Sequence, residues 1–170
     1  AEKLKLPNNF MKTGKSEVII VLDRSGSMES IKNDMEGGLK TFIEKQKLDP
    51  GECFVSLYQF DTEYETVFEN KNIQDVESIK IFPRGSTALF DAIGKATNSV
   101  GERLSKTSDE DRPETVIFVA ITDGQENSSK EFKSPQIKDM VSHQTEKYNW
   151  KYLFMGANQD AILNGQNIGV

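Results

Sequence analysis

The chain has 170 residues, of which 36% are hydrophobic, so it can form one domain with a substantial core and is too apolar to be mostly disordered. Its longest uninterrupted apolar run, 116–121, is far shorter than the roughly 20 residues that cross a bilayer, so we expect a soluble protein with no membrane partner. With 21 basic and 27 acidic residues, the net charge of −6 opposes polyanions, and we expect no nucleic-acid partner.

The beginning of the chain differs in composition from the rest. Residues 1–16 are polar and rich in lysine, which predicts a tail or linker, and residues 17–170 are assigned to a single domain. The one cysteine, Cys53, lies in an apolar, strand-like stretch and is expected to be a buried free thiol. No secretory hydrophobic segment precedes the first predicted strand, and we expect a cytoplasmic location.

The first half of the domain predicts a strand, a helix and a hairpin. Residues 18–22 are all apolar and mostly β-branched, as in a strand covered on both faces of a parallel sheet, and this strand is expected to end at Asp23. Apolar residues over 31–43 then follow one helical stripe. Two strand-like stretches, 53–60 and 64–69, predict a hairpin that supplies one antiparallel edge strand.

The middle of the chain predicts a short helix, a long helix and a second central strand. Ile73, Val76 and Ile79 are spaced three residues apart, which favours a short helical piece. The apolar stripe over 89–104 indicates an amphipathic helix. Residues 116–121 repeat the all-apolar pattern of a strand buried on both faces.

The last predicted elements are a helix and a strand. Ser134 is the expected N-cap of the helix, with Pro135 in the first turn and Tyr148 facing inward. Residues 152–155 predict one more buried strand. This alternation of strands and helices predicts an α/β fold with a doubly wound, mostly parallel open sheet and one antiparallel edge strand.

Polar loops follow the predicted strands and open the second long helix. Residues 23–28 are Asp-Arg-Ser-Gly-Ser-Met, residues 85–88 are Gly-Ser-Thr-Ala, and residues 122–124 are Thr-Asp-Gly. In open α/β sheets the binding crevice lies beyond the carboxyl ends of the strands, where these loops should converge. Two carboxylates and three hydroxyls without Cys or His make an all-oxygen site, which suits Mg²⁺ better than zinc or copper.

Three motifs in these loops occur in a recognisable order. They are Asp23-x-Ser25-x-Ser27, an isolated Thr87 and Asp123-Gly124. Together they resemble the metal-ion-dependent adhesion site of the von Willebrand factor A domain family, and the resemblance spans residues 17–156. The scarcity of cysteine and the style of the first loop resemble the compact, single-domain members of bacteria and their phages.

The resemblance implies a non-catalytic protein-binding module with Mg²⁺ as cofactor, and Mn²⁺ or Ca²⁺ as alternatives. The implied metal ligands are Asp23, Ser25, Ser27, Thr87 and Asp123. The serines would bind the ion directly, the aspartates directly or through water, and the threonine directly in one conformation. A protein partner would add a Glu or Asp side chain to the coordination. Residues that flank the loops are expected to form the partner-binding rim: Met28, Glu29, Arg84, Glu126, Asn127 and Asn158.

Two other interpretations of the same residues stay open. Taken singly, each aspartate, serine or threonine is also common in turns and helix caps, so a scaffold without metal is one alternative. The other is a metal-dependent phosphoryl hydrolase of the haloacid dehalogenase type, whose motif needs a second carboxylate two residues after the first. Ser25 stands at that position, and the sequence has no nucleotide-binding or acyl-transfer motif, so we expect no catalytic residues and no enzyme.

The end of the chain departs from the pattern that the resemblance implies. That pattern includes a sixth strand and a last helix, whereas residues 157–170 contain no apolar run of strand length. We therefore predict a sheet that is incomplete at its C-terminal edge, which a fragment of a longer protein would explain. An unpaired edge would be open to pairing with another chain.

Overall fold

Five strands form one sheet in the computed structural model, which describes residues 14–48, 51–122 and 127–156. The strands are β1 (Lys15–Asp23), β2 (Glu52–Phe60), β3 (Tyr64–Asn72), β4 (Thr115–Thr122) and β5 (Lys151–Gly156). Their order across the sheet is β3-β2-β1-β4-β5. β3 runs antiparallel to β2 and the other neighbouring pairs are parallel, which confirms the predicted α/β fold with one antiparallel edge strand.

Helices cover both faces of this sheet. The α-helices within the described ranges are α1 (Lys32–Lys47), α2 (Leu89–Ser105) and α3 (Ser134–Tyr148), and 3-10 turns lie at Gly26–Ile31 and Ile73–Asp75. α1 packs on one face of the sheet, and α2 and α3 pack on the other, as in a doubly wound fold. In the part of the chain that the structure describes, no helix is long and apolar enough to cross a membrane.

The central position of β1 explains the first apolar run of the sequence. Val18, Ile20 and Leu22 pack in the core on the α1 side, and Ile19 and Val21 pack in the core on the α2 and α3 side. All five side chains are fully buried. Each contributes about 1.5–3 kcal/mol of hydrophobic stabilisation, and a polar residue at any of these positions would lose it.

The segment after β3 corrects one prediction. The short helix expected from the spacing of Ile73, Val76 and Ile79 is limited to the 3-10 turn Ile73–Asp75, and residues 76–84 have no regular secondary structure. The three apolar residues are nevertheless buried in the core beside α1. Side chains supply the hydrogen bonds that a helix would have made: the N–H of Ile81 donates to the carboxylate of Glu36 at 2.8 Å.

Helix α3 and strand β5 also differ in detail from prediction. The N-cap of α3 is Lys133 rather than Ser134, and the side chain of Gln136 accepts the backbone N–H of Lys133 at 2.8 Å. Tyr148 is 53% exposed rather than inward, since it is the last residue of the helix. β5 is half-buried rather than buried, because among the described strands it pairs with β4 alone.

Strand β1 begins at Lys15, so this residue and Ser16 belong to the sheet rather than to the predicted tail. They pair with Glu52 and Cys53 of β2, and Cys53 is buried as a thiol, as predicted. Residues 1–13 and 157–170 lie outside the described residues. The predictions of an N-terminal tail and of an incomplete C-terminal edge therefore stay predictions.

A buried ion pair ties α2 to β1 at the amino ends of the parallel strands. The carboxylate of Glu17, which is 1% exposed, accepts hydrogen bonds from two nitrogens of Arg103 and, at 2.9 Å, from the hydroxyl of Ser56. Burial lowers the pKa of Arg103, but its hydrogen bonds to Glu17 and the charge of Glu17, with smaller electrostatic contributions from Tyr58 and Glu69, together outweigh burial and raise the pKa. Glu17 and Asp23 lie towards opposite ends of β1, so this pair supports the fold away from the polar loops.

Candidate metal centre

The parallel strands end level with one another, so their carboxyl ends lie together on one side of the sheet. Asp23, the last residue of β1, pairs with Phe60 of β2, and Thr122 of β4 pairs with Gly156 of β5. The chain segments that follow β1, β2 and β4 therefore leave the sheet on the same side. The candidate metal ligands predicted from the sequence belong to these segments.

Asp23 anchors the first of these loops. Its side chain is buried, one carboxylate oxygen accepts the N–H of Ser25 at 2.7 Å, and the other accepts the hydroxyl of Thr122 at 2.6 Å. The hydroxyl oxygens of Ser25 and Ser27 lie 3.1 Å apart. A short loop with a fixed carboxylate at its base therefore presents two adjacent hydroxyls.

Hydrogen bonds hold the segment around Thr87 against this loop and against Asn127. The N–H of Gly26 donates to the carbonyl of Gly85 at 3.1 Å, and the N–H of Thr87 donates to the side-chain oxygen of Asn127 at 2.8 Å. Thr87 is 1% exposed, yet among the described residues its hydroxyl has no hydrogen-bond partner. A buried polar group left in this state costs about 1–3 kcal/mol, which a ligand at this point would recover.

The residues present fit a hard divalent cation. The structure gathers the carboxylate of Asp23 with the hydroxyl-bearing loops of Ser25, Ser27 and Thr87, and Mg²⁺ prefers oxygen ligands in octahedral geometry. Within residues 14–48, 51–122 and 127–156, no three His, Cys, Asp or Glu side chains are arranged so that they could hold a metal ion by themselves. Asp123, the fifth predicted ligand, follows Thr122 in sequence and lies outside the described residues.

The prediction that Met28 belongs to the partner-binding rim is wrong. This residue is fully buried and packs in the core with Met35, because the 3-10 turn Gly26–Ile31 directs its side chain towards the sheet. The signal that reveals this position is the spacing of Met28, Ile31 and Met35, which places all three on one helical stripe.

The other rim residues have different environments. Glu29 is exposed, and the side chain of Arg84 is 59% exposed. Asn127 is also exposed, but its side chain accepts the N–H of Thr87, so it positions that loop. Glu126 and Asn158 lie outside the described residues, and their place in the rim stays a prediction.

A charged cluster beside the loops was missed by the sequence analysis. Asp61, the residue after β2, is 2% exposed, and one of its carboxylate oxygens accepts hydrogen bonds from Arg24 at 2.9 Å and from Arg84 at 2.8 Å. Burial raises the pKa of Asp61, but the N–H of Glu63 and the two guanidinium groups outweigh burial and bring the pKa below its usual value. The register of β1 and β2 explains this contact. Asp23 pairs with Phe60, and Arg24 and Asp61 are the residues that follow them in the chain.

Asp91 is a second residue that the sequence analysis missed. Its buried carboxylate accepts three consecutive backbone N–H groups, from Lys130, Glu131 and Phe132, at 2.8–2.9 Å. These groups lie in the loop that also carries Asn127, the partner of Thr87. Asp91 therefore links the first turn of α2 to the site, and no local sequence pattern signals this because its partners are backbone groups far along the chain.

The packing of this loop against α2 predicts the effect of replacing Gly94 by alanine. A Cβ at Gly94 would lie 2.7 Å from ring atoms of Phe132, so Gly94→Ala must displace the ring. We expect this overpacking to cost about 1–3 kcal/mol and to outweigh the roughly 1 kcal/mol gained in helix propensity, which lowers the Tm in thermal unfolding. The control is Gly37→Ala in α1, where nothing lies within 4 Å of the new Cβ and the Tm should rise. A higher Tm for both variants would contradict the prediction.

The structure is an α/β domain with a candidate cation site at the carboxyl ends of its parallel strands. A sequence profile of the von Willebrand factor type A domain matches residues 17–162, and the chain belongs to this family. Domains of this family often mediate protein–protein interactions. No curated protein sequence matches the chain.

Solved structures support the fold. Manganese-loaded TRAP protein from Plasmodium vivax is similar, with 12% identity and a TM-score of 0.59 over 90% of this chain and 62% of that chain. Proximal thread matrix protein 1 from the mussel byssus is similar, with 16% identity and a TM-score of 0.55 over 89% of this chain and 39% of that chain. The present chain therefore spans less than two thirds of either solved chain, and at these identities the likeness concerns the fold alone.

Proposed function

We propose that the chain is a non-catalytic protein-binding module that engages an acidic side chain of a partner protein through a divalent metal ion, Mg²⁺ in the first place. The observation that carries this proposal is the buried hydroxyl of Thr87, which has no hydrogen-bond partner among the described residues. Its loop is hydrogen-bonded to the loop that presents Ser25 and Ser27. The manganese-loaded state of one fold neighbour is in keeping with a metal at the carboxyl ends of the parallel strands.

Each residue of the site has a distinct part in this proposal. Ser25, Ser27 and Thr87 would hold the ion through neutral hydroxyl oxygens, and Asp23 and Asp123 would balance its charge directly or through water. Hydrogen bonds from Ser25 and Thr122 keep the carboxylate of Asp23 in place before any ion arrives. When bound, an ion held largely by neutral ligands keeps enough positive charge to attract a carboxylate from another protein.

The charge of the domain limits how a partner can approach. A net charge of −6 repels an acidic partner at long range, so attraction must arise at the site itself. Arg84, with 59% of its side chain exposed, is the cation of the predicted rim, but it already contacts Asp61 and Glu63. We therefore propose that the metal, rather than the rim charges, provides most of the attraction.

Thermal unfolding tests the metal site directly. At a free Mg²⁺ concentration of about 100 times the dissociation constant, binding to the folded state adds about 2.7 kcal/mol, which raises the Tm of a domain of this size by about 5–11 °C. The chelator EDTA should reverse the shift, and Mn²⁺ should reproduce it.

Two variants make this measurement specific. Thr87→Val keeps the shape of the side chain but removes the hydroxyl, so the Mg²⁺-dependent shift should shrink or vanish. Ser86→Ala removes an exposed hydroxyl from the same loop and should respond to Mg²⁺ like the wild type. If the wild-type Tm is the same in Mg²⁺, Mn²⁺ and EDTA, the proposed function is wrong.

A further inference from the structure

The carboxylate of Asp61 is fully engaged inside the protein. One oxygen accepts the Nε–H groups of Arg24 and Arg84 at 2.9 and 2.8 Å, and the other accepts the N–H of Glu63 at 2.6 Å. Asp61 itself is 2% exposed. The two guanidinium groups balance the charge of this carboxylate and would repel a cation, so Asp61 is poorly placed to bind an ion itself.

The two arginines belong to the two loops that the candidate site needs. Arg24 stands between Asp23 and Ser25 in the first loop, and Arg84 stands three residues before Thr87. The backbone repeats the connection, since the N–H of Arg84 donates to the carbonyl of Arg24 at 2.8 Å. Asp61 therefore bridges the motif loop and the threonine loop through its side chain.

Asp61 also holds the threonine loop at its far end. Its backbone carbonyl accepts the N–H of Ala88 at 3.0 Å, so contacts with Asp61 lie on both sides of Thr87. Between them, Gly85 has a φ of +72°, and a Cβ there would lie 3.1 Å from the hydroxyl of Thr62. The loop is thus a tight turn wrapped around the end of β2.

We propose that Asp61, which lies outside the three motifs, is a positioning residue of the metal site and fixes the Thr87 hydroxyl opposite the hydroxyls of Ser25 and Ser27. This inference rests on the proposed function. An amide has the same shape as the carboxylate of Asp61 but cannot make the same hydrogen bonds. In Asp61→Asn one oxygen becomes an NH₂ group, which faces an N–H donor whichever way the amide turns.

The test measures Mn²⁺ affinity by isothermal titration calorimetry on the full chain. Residues that orient metal ligands typically change affinity by about 10–100-fold when replaced, and we expect a loss in this range for Asp61→Asn. The control is Glu65→Gln, which removes a carboxylate from the other side of Arg24, with no described contact to the threonine loop. Its affinity should stay close to that of the wild type. An equal loss in both variants would mean that charge alone matters, and the inference would be wrong.

A double-mutant cycle shows whether Asp61 acts through Thr87. If it does, Thr87→Val should weaken Mn²⁺ binding in the wild type and have little further effect in Asp61→Asn. Fully additive losses would overturn the inference. Hydrogen exchange of the Ser86 and Ala88 amides in the metal-free protein gives a second measure, and both should exchange faster in Asp61→Asn than in Glu65→Gln.

Folding and function are separated by further controls. If Asp61→Asn does not fold, Arg84→Gln opens the same contact from its exposed member and should also weaken Mn²⁺ binding and speed the exchange of Ser86. Unchanged affinity and exchange in Arg84→Gln would overturn the inference. If the wild type itself does not bind Mn²⁺, the proposed function is wrong as well. Normal wild-type binding with equal binding by Asp61→Asn overturns the positioning role alone.

Discussion

Replacing Arg103 by methionine is expected to destabilise the domain by about 3–5 kcal/mol, which lowers the Tm by roughly 6–20 °C for a chain of this size. The reason is the carboxylate of Glu17, which is 1% exposed and would lose its counter-charge while staying buried. The hydroxyl of Ser56 would remain as a neutral donor and could not replace a guanidinium group. Chemical denaturation and thermal unfolding both measure this loss.

Two controls separate the buried charge from other effects of the substitution. In Glu17→Leu/Arg103→Met both partners become apolar, so no charge is left buried and the double variant should be more stable than Arg103→Met alone. Glu102→Gln removes an ion pair on the same helix, in which both side chains are at least 70% exposed, and should change stability by less than about 1 kcal/mol. A double variant less stable than Arg103→Met would contradict this account.

Much of the fold could be predicted from the sequence because two strands are buried on both faces. The runs at 18–22 and 116–121 correspond to β1 and β4, the neighbouring central strands, and all-apolar runs of this length admit few other structures. Helix α2 was equally predictable from its apolar stripe. The spacing of Ile73, Val76 and Ile79 was misleading, because burial at every third residue does not require a helix when side chains such as Glu36 bond the backbone.

The candidate site was predictable to the extent that its residues lie in local motifs. Asp23, Ser25 and Ser27 are close in sequence, and the structure holds them together in one loop. Asp61 escaped prediction because the arginines that bind its carboxylate lie 37 and 23 residues away in sequence. Asp91 escaped prediction because its partners are backbone N–H groups about 40 residues away, and nearly every residue carries such a group. Such contacts depend on the register of strands and the path of loops, which short-range patterns do not encode.

Asp123→Ala is expected to abolish both Mg²⁺-dependent stabilisation and metal-dependent binding of a partner. The sequence places Asp123 directly after Thr122, whose hydroxyl bonds Asp23 at the edge of the sheet. Of the five proposed ligands, Asp23 and Asp123 are the charged ones, so the substitution removes about half of the negative charge that would balance the ion. The gain of about 2.7 kcal/mol expected for the wild type at saturating Mg²⁺ should therefore be lost.

The variant should nevertheless stay folded, because the cores on both faces of the sheet are formed by buried hydrophobic side chains. Its Tm in EDTA should be close to that of the wild type in EDTA, and calorimetry should detect no Mn²⁺ binding. Asp109→Ala is the matched control, since it removes an aspartate whose side chain is 94% exposed in the loop before β4, and it should bind Mn²⁺ normally.

Immobilised wild-type domain should retain its partner in Mg²⁺ and release it in EDTA, whereas Asp123→Ala should retain nothing in either. A partner that binds Asp123→Ala and the wild type equally, with or without EDTA, would show that the interaction does not pass through a metal ion, even though the fold is that of the family.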